Sequence, residues 1–555
     1  MHWSRRRVLR TAPGLAGITG LAGTAGLGSL LGGCPAPTPP VERMFVGQDP
    51  ARGHLLRDGA IMAAAVSDRV RCDVLVVGGG AAGMAAAWRL ARAGARDVHV
   101  LELESATGGT ARSGQTPRSR YPMGAHYLPT PHADFTALQT LLRELGLVLG
   151  EDRAGRLEFD PRVICRAPLE RHRHRGRWDE GLYPGADQSA DEEAQWERWR
   201  AHLRELDQRR GADGRRSFAL PVDHSSTELR HLDRVSMAAY LDGLGLTSWR
   251  LRWTVDYACR DDYGCTIEQC SAFAALHHYL CRGLDDDDER FILTWPEGND
   301  HLVQAMAASA RVGDRLHRDT LVHAIDPDTG TVSAYDVAAG RGRVFEAKVV
   351  LWAAPRFLLP RVLPAGRDPL PADAALYSPW LVANVEVAKR PGGIGAPLAW
   401  DNVPVDADNL GYVVATHLED LQAARRDAGS VLTYYQPMPA DDAQGLRTRR
   451  TELLSGSLDH WCDHVVAELS AMHPGIEADV RRVHVARWGH AMIRPGPGWL
   501  FGEGRALARA AVGCVLPCAA DVGGLPLFEE AFAGGVRGAE EALSRLGRPV
   551  RERLG

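Results

Sequence analysis

The chain has 555 residues, of which 45% are hydrophobic and 24% charged, and its formal net charge is −5. These ordinary globular values exclude a wholly disordered chain and a protein with many membrane spans, and the slight negative charge gives no reason to expect nucleic acid as a partner. At about 150 residues per domain, the length predicts three to four compact units.

The N-terminus predicts an export signal over residues 1–33. A cluster of arginines precedes an uncharged, glycine-rich apolar segment, which is the order of charge and hydrophobicity in a signal peptide. Ser4–Arg10 resembles the twin-arginine signal, and Leu31–Cys34 resembles the lipobox of bacterial lipoproteins. The resemblance implies a periplasmic or cell-surface protein that is anchored to the membrane by a lipid on Cys34 rather than by a spanning segment. An uncleaved membrane anchor is the alternative.

The segment 34–70 is predicted to be a tether. It begins with a proline-rich stretch, which favours an extended and stiff chain, and we expect a short helix over residues 57–70 before the first strand.

A strand, a glycine-rich turn and a helix then follow in register. Residues 72–77 predict a buried strand, and Gly78, Gly80 and Gly83 form the pattern G-x-G-x-x-G before an alanine-rich helix. These glycines permit a tight turn, close approach of a pyrophosphate and close packing of the helix, whose first residues Ala81 and Ala82 would direct N–H groups at the phosphates. A glycine turn with a purely structural role is the alternative.

A second predicted strand, over residues 98–101, leads to Glu102, which can accept hydrogen bonds from a ribose diol. Gly108 and Gly109 follow six residues later. This spacing resembles FAD-binding proteins of the glutathione-reductase type, specifically the flavin amine oxidase and phytoene-desaturase-like group. The resemblance implies non-covalent FAD with its pyrophosphate beside the glycine pair. The group usually has an arginine directly after that pair, whereas the first arginine here is Arg112.

The same resemblance extends to later segments of the chain. It implies that FAD is contacted at its adenine by a strand near residue 322, and at its ring by a glycine–alanine turn and by a helix opened by a glycine pair. An NAD(P)-only protein is the alternative, but it leaves the C-terminal motifs unexplained. The residues implied by these segments are Gly124, Ala125, His126, Val322, Ala354, Asp521, Gly535 and Val536.

The predicted fold class is therefore α/β. A Rossmann-type FAD-binding domain, discontinuous in sequence, would carry an inserted α+β substrate domain, and residues 190–290 would be mainly helical. The FAD-binding segments are predicted at 71–150, 295–365 and 484–555, and the substrate segments at 151–294 and 366–483.

Candidate residues for the reaction follow the first Rossmann unit. His126 and Tyr127 are predicted to line the reaction site, with His126 as a candidate base. The alternative is that they only pack a turn. Asp256–Gly264 combines charges with tyrosines, so it is either a substrate pocket or a surface loop with ion pairs. Trp488 and His490 either face that pocket or pack within a strand.

The chain has only two lysines, Lys348 and Lys389. Amine oxidases of the group commonly use a lysine that holds a water beside the flavin, and its expected position here falls near Ala383 or Asn384. The fold is therefore expected without that lysine.

No metal site is predicted. The ten cysteines show no C-x-x-C spacing, the basic run 171–175 is expected to be a loop, and Asp285–Glu289 lacks the spacing of a calcium loop.

Together these patterns predict an exported FAD-dependent oxidoreductase that transfers a hydride from a small metabolite, an amine among the candidates, to flavin N5. The electron acceptor, and with it the choice between oxidase and dehydrogenase, stays open. Two alternatives share the fold: a desaturase or isomerase of an apolar substrate, which needs a long apolar tunnel, and a non-catalytic flavin-binding lipoprotein, which needs no cavity above the ring.

Overall fold

The computed structural model describes residues 40–59, 66–153, 155–165, 169–281, 292–417, 429–548, 550 and 553–554. The predicted export signal, its lipidation site Cys34 and the acidic run Asp285–Glu289 lie outside these residues. Within them, no helix is both long and apolar enough to cross a membrane.

Two large sheets and several hairpins make up the β structure. In chain order the strands are β1 (Glu42–Val46), β2 (Val66–Val77), β3 (Val98–Leu101), β4 (Ser113–Gln115), β5 (Arg120–Pro122), β6 (Tyr127–Pro129), β7 (Val148–Glu151), β8 (Leu157–Phe159), β9 (Glu170–His174), β10 (Arg177–Glu180), β11 (Ile292–Thr294), β12 (Leu316–His317), β13 (Thr320–Asp326), β14 (Thr331–Asp336), β15 (Arg341–Trp352), β16 (Tyr377–Val387), β17 (Asp401–Pro404), β18 (Tyr412–Val414), β19 (Ser430–Pro437), β20 (Val480–Ile493) and β21 (Val515–Pro517).

The helices cover the faces of these sheets. In chain order they are α1 (Pro50–Asp58), α2 (Ala81–Arg92), α3 (Thr136–Glu144), α4 (Ala190–Gln208), α5 (Met237–Gly243), α6 (Trp249–Tyr263), α7 (Ala272–Leu280), α8 (Asp300–Ala310), α9 (Leu359–Val362), α10 (Ala443–Ser455), α11 (Leu458–Met472), α12 (Glu503–Arg509), α13 (Ala520–Gly523) and α14 (Phe528–Arg545).

The first sheet is the predicted Rossmann-type sheet. Its strands run in the order β12-β3-β2-β15-β14-β13, and β21 pairs with the end of β15. Strands β12, β3, β2, β15 and β21 are parallel, whereas β13 and β14 form an antiparallel meander with β15. Side chains alternate along β2, so Val74 and Val76 pack under α2 and α14 while Leu75 and Val77 pack on the opposite face. The α/β prediction is confirmed.

The second sheet has eight strands in the order β1-β20-β16-β19-β18-β17-β9-β10. Along β16, Leu381 and Ala383 pack in one core with residues of α11, whereas Trp380 and Val382 face the opposite side. That opposite side is where the cavity described below lies. The segment 171–175, expected to be a loop, forms most of β9 instead, because its backbone pairs with β17 and β10 and Arg171 Nε donates to Asn402 Oδ1.

Two predicted boundaries need correction. The segment 34–70 is not a simple tether, because β1 pairs in parallel with β20, α1 spans residues 50–58, and residues 66–70 already belong to β2. Residues 480–493 form one continuous strand of the second sheet, so the last Rossmann segment begins after Ile493 rather than at residue 484. Both errors arise from strand pairs between residues distant in sequence.

The helices α4 to α7 form the predicted helical part of the substrate domain. A capping box of Ser189 and Glu192 starts α4, and Gly264, with φ of 64°, ends α6. Four cysteines of this part, Cys259, Cys265, Cys270 and Cys281, are buried.

A buried ion pair joins α2 to α14. Arg89 Nε lies 2.9 Å from Glu540 Oε1, and the two side chains are 5% and 9% exposed. We expect Arg89→Met to lower the free energy of unfolding by about 3 kcal/mol, because it leaves a buried carboxylate without its partner. The double variant Arg89→Met, Glu540→Gln is expected to recover part of that loss in a denaturant titration. Equal losses in the single and double variants would instead assign the effect to packing.

Candidate functional site

The glycine turn after β2 is held in place by close backbone contacts. Gly78 has φ of 108°, and a Cβ on it would lie 2.8 Å from the Ala354 nitrogen. A Cβ on Gly83 would lie 1.9 Å from the Gly78 carbonyl oxygen. Both positions therefore require glycine, as the sequence predicts.

The first turn of α2 leaves its amides available. No side chain caps the helix at Gly80, and the first intrahelical bond is donated by Met84 to the Gly80 carbonyl oxygen. The N–H groups of Ala81, Ala82 and Gly83 thus precede the helical ladder, and the helix dipole favours an anion in front of them.

Glu102 ends β3 beside this turn. One oxygen of its carboxylate accepts a hydrogen bond from the Gly79 nitrogen at 2.7 Å, and the other accepts one from the Glu104 nitrogen at 2.8 Å. Burial raises its pKa, and these two backbone hydrogen bonds oppose that shift. The carboxylate therefore stabilises the turn, and its contact with a ribose stays a prediction.

The glycine pair Gly108 and Gly109 faces the glycine turn after β2. The Gly108 nitrogen donates to the Gly79 carbonyl oxygen at 3.0 Å, and a Cβ on Gly80 would lie 3.6 Å from Gly109 Cα. Only backbone therefore lines the gap between the two turns. Arg112, predicted near the pyrophosphate, donates to the Gly47 carbonyl oxygen at 3.2 Å and lies 3.9 Å from Glu104.

The remaining predicted cofactor residues are dispersed. Ala354 abuts Gly78, whereas Val322 is buried in the core of the first sheet. Asp521 accepts hydrogen bonds from the Arg356 nitrogen at 2.6 Å and from the Tyr377 hydroxyl at 2.8 Å. Burial raises the pKa of Asp521, and these bonds oppose that shift. In this structure, Asp521 joins the segment after β15 to β16.

The prediction that Gly535 and Val536 open a helix is wrong. They lie in the middle of α14, where a Cβ on Gly535 would approach the Ala82 carbonyl oxygen to 2.1 Å, so the glycine permits close packing on α2. The helix begins at Phe528, and the cavity is lined by Pro526, Leu527, Phe528 and Glu529. Pro526, with acidic residues in the turn after it, was the available signal for this start.

A cavity of about 130 Å³ lies between the domain built on the first sheet and the domain built on the second sheet. The first domain contributes the loop containing Thr110, the turn 124–127 and the start of α14. The second contributes Trp380 and Val382 of β16, Tyr435 of β19, Trp488 of β20 and the end of α6. The site therefore combines backbone of the dinucleotide domain with aromatic side chains of the substrate domain.

Hydrogen bonds fix the aromatic walls to the turn. The Tyr435 hydroxyl donates to the Gly124 carbonyl oxygen at 2.9 Å, and Trp488 Nε1 donates to the Met123 carbonyl oxygen at 2.6 Å. Trp488 thus faces the cavity. His490 instead stacks on Phe357 with ring centroids 4.1 Å apart.

His126 lies in the cavity wall, as predicted. Its ring stacks on Tyr435 at a centroid distance of 5.0 Å and contacts Tyr127 at 4.9 Å and Trp400 at 5.4 Å. Burial lowers the pKa of His126 to about 3, so the imidazole is neutral at physiological pH. Its catalytic role, like that of Tyr127, stays a prediction.

Two carboxyl groups reach the cavity from α6. Asp262 is paired with His278, whose Nδ1 lies 2.6 Å from Asp262 Oδ2, whereas Asp261 is half-buried in the cavity wall. Of the two interpretations of the segment 256–264, the structure supports the pocket and excludes a surface loop.

Neither lysine approaches the cavity. Lys348 pairs with Asp73 at 2.8 Å and Lys389 lies 3.9 Å from Asp479, and both side chains are about two-thirds exposed or more. Asn384, near the position expected for a lysine, donates to the Pro122 carbonyl oxygen at 3.0 Å and accepts from Thr433 at 2.8 Å.

Comparisons with known proteins agree with this architecture. Residues 76–145 match the family of NAD(P)-binding Rossmann-like domains. No curated protein sequence matches the chain. A redesigned double mutant of putrescine oxidase superposes with a TM-score of 0.60 at 18% identity, covering 86% of this chain and 100% of the other.

Two further structures are similar. Cyclohexylamine oxidase from Brevibacterium oxydans IH-35A has a TM-score of 0.59 at 17% identity, over 86% of this chain and 100% of its own. An Exiguobacterium sp. 255-15 protein described as a protoporphyrinogen oxidase has a TM-score of 0.56 at 15% identity, over 87% and 100%. At such low identities the likeness establishes that the chain shares the fold of these proteins.

Proposed function

We propose that this chain is an FAD-dependent oxidoreductase that transfers a hydride from a small amine to the flavin. The observation that carries the proposal is the cavity, because it joins the backbone of the dinucleotide domain to a wall of aromatic rings and a carboxylate. The names of two proteins with the same fold, putrescine oxidase and cyclohexylamine oxidase, support an amine as the substrate.

The residues present fit FAD. The backbone-only gap between Gly80 and Gly109, with the uncapped start of α2 beside it, suits a pyrophosphate, and Glu102 stands where a ribose would lie. The turn at Gly124 and Ala125 would hold the flavin ring. When bound, FAD supplies a hydride acceptor at N5. Since no cysteine lines the cavity among the described residues, we expect the cofactor to be non-covalent.

The protein's own groups would then bind and orient the substrate. The rings of Tyr435, Trp380 and Trp488 exclude water and favour a cation over their faces. The neutral His126 ring can hydrogen-bond the amine, which must already have lost its ammonium proton before hydride transfer.

The cavity separates this function from its two alternatives. A non-catalytic flavin protein needs no cavity, and a desaturase of an apolar substrate needs walls without charge. Asp261, Asp262 and His126 all line the cavity, which favours a polar substrate.

The visible spectrum of the full-length protein tests the proposal. We expect flavin bands, release of all the flavin on denaturation, and bleaching when an amine is added without oxygen. Protein that stays colourless after incubation with FAD contradicts the cofactor assignment. Protein that binds FAD but is bleached by no amine contradicts the substrate class.

The location of the enzyme rests on its sequence alone. We propose export by the twin-arginine route and anchoring through a lipid on Cys34, outside the described residues. The mass of the N-terminal peptide from membrane-extracted protein tests this, since a lipid-modified Cys34 would be the first residue.

A further inference from the structure

Two buried carboxyl groups of the second sheet point to the same side. Glu170 in β9 and Asp401 in β17 are register partners of a parallel pair, so their side chains share one face. Their sequence neighbours are on the other face, where Arg171 Nε donates to Asn402 Oδ1 at 2.6 Å. Glu170 is 7% exposed and Asp401 is 4% exposed.

Helix α6 connects this pair to the cavity. The Tyr257 hydroxyl donates to Asp401 Oδ2 at 3.1 Å. Asp261 follows Tyr257 by four residues, which places it on the same face of α6 one turn further along, and it lies in the cavity wall. Glu170, Asp261 and Asp401, here called the acid cluster, thus extend from the cavity wall into the second sheet.

Among the described residues, the basic side chains near the acid cluster pair with other carboxyl groups. Arg260 pairs with Asp256 at 2.7 Å, and His278 is engaged by Asp262. Within the described part of the chain, none of the three cluster members forms an ion pair, and the buried Glu170 Oε1 has no hydrogen-bond partner. A buried carboxylate without an oppositely charged partner is costly, so these groups favour a positively charged ligand.

The pKa values of the three carboxyl groups agree with this geometry. Burial and the neighbouring Asp261 raise the pKa of Glu170 to about 7, and burial and Glu170 raise that of Asp401 to about 8. Burial and the carboxyl groups of Asp262 and Asp401 also raise the pKa of Asp261. A cation placed among these groups would lower all three pKa values.

We infer that the acid cluster binds a second positively charged group of the substrate, so that the site selects compounds with two or more amino groups over monoamines. This inference rests on the proposed function. The amine to be oxidised would lie against the turn at Gly124 and the start of α14, and the second amine would lie beyond the aromatic rings, toward Asp261.

Anaerobic reduction of the full-length, flavin-loaded protein tests the inference, with 1,4-diaminobutane and butylamine as matched probes. We expect the diamine to half-saturate flavin reduction at a concentration at least about 10-fold lower than butylamine does. Asp261→Asn should raise that concentration for the diamine by about 10-fold or more and change it less than about 2-fold for butylamine. The limiting rate of reduction should change little, since the residue binds and does not react.

A second variant and a control complete the experiment. Glu170→Gln should also raise the concentration of the diamine that half-saturates flavin reduction. This second variant keeps the test decisive if Asp261→Asn does not fold. Glu268→Gln, which changes an exposed carboxylate close to α6, should leave the half-saturating concentrations of both probes unchanged.

The outcomes distinguish the inference from the proposed function. If the two probes half-saturate flavin reduction at the same concentration, and neither cluster variant makes these concentrations differ, the inference is overturned. The proposed oxidoreductase function is then unaffected. If the protein holds FAD but no amine reduces it, both the substrate class and the inference fail.

Discussion

Gly83→Ala is expected to abolish the binding of FAD. The added Cβ would lie 1.9 Å from the Gly78 carbonyl oxygen, so either the turn or helix α2 must move. Gly78 has little room to retreat, because even a Cβ on it would lie 2.8 Å from the Ala354 nitrogen and 2.9 Å from the Ala353 carbonyl oxygen. Overpacking of this kind costs about 1–3 kcal/mol, and here it also displaces the amides that face the pyrophosphate.

The matched control for this variant is Gly53→Ala in α1. No atom lies within 4 Å of its added Cβ, so we expect unchanged flavin content and a slight gain in stability. Flavin content of the purified proteins and a titration of each with FAD measure the difference. We expect at least about a 100-fold loss of affinity for Gly83→Ala, which corresponds to about 2.7 kcal/mol. Full flavin content in this variant would contradict the close approach described here.

The acid cluster is expected to make the free energy of unfolding fall as pH rises. Glu170 and Asp401 have folded-state pKa values of about 7 and about 8, above the ordinary range for carboxyl groups. Between an ordinary pKa of about 4 and these values, the folded chain binds more protons than the unfolded chain. The free energy of unfolding therefore decreases by about 1.4 kcal/mol per pH unit for each group, and the loss is complete above about pH 8.

Asp401→Asn removes one of these groups while leaving an oxygen that can accept the Tyr257 hydrogen bond. We expect the variant to be more stable than the parent protein at pH 9, by about 4 kcal/mol, and close to it at pH 5. Guanidinium titrations at the two pH values, with Glu268→Gln beside them, measure the effect. A pH dependence identical to that of the parent protein would show that Asp401 ionises normally.

The sequence predicted the parts of the site that are built from neighbouring residues. Gly78, Gly83 and Glu102 belong to one strand–turn–helix–strand unit, and local rules govern their contacts. The position of His126 was predicted from the resemblance to the flavin amine oxidase group, which implies a glycine–alanine turn near the flavin ring. The position of the glycine pair within its helix could not be predicted. Gly535 permits close packing on α2 and Gly534 permits close packing on the backbone of Cys518, although a glycine pair is also typical of a helix start.

The acid cluster could not be predicted as a unit. Glu170 and Asp401 meet only because β9 and β17 pair across more than two hundred residues of sequence, and no local pattern encodes that pairing. Asp261 lies in a segment that the sequence predicts to be either a substrate pocket or a surface loop. Only the packing of α6 decides between these two interpretations. The strand β1 was missed because its hydrogen bonds lie with β20, at the other end of the chain.

The pairing of β1 with β20 also constrains the order of events during synthesis. Glu42 pairs with Arg482, so a ribosome must produce 440 further residues before the edge of the second sheet can close. Contacts of such long range slow folding, because a large loop must be ordered before they form. We therefore expect the nascent chain to remain sensitive to proteases until its last strands emerge, and resistance to appear late and in a single step.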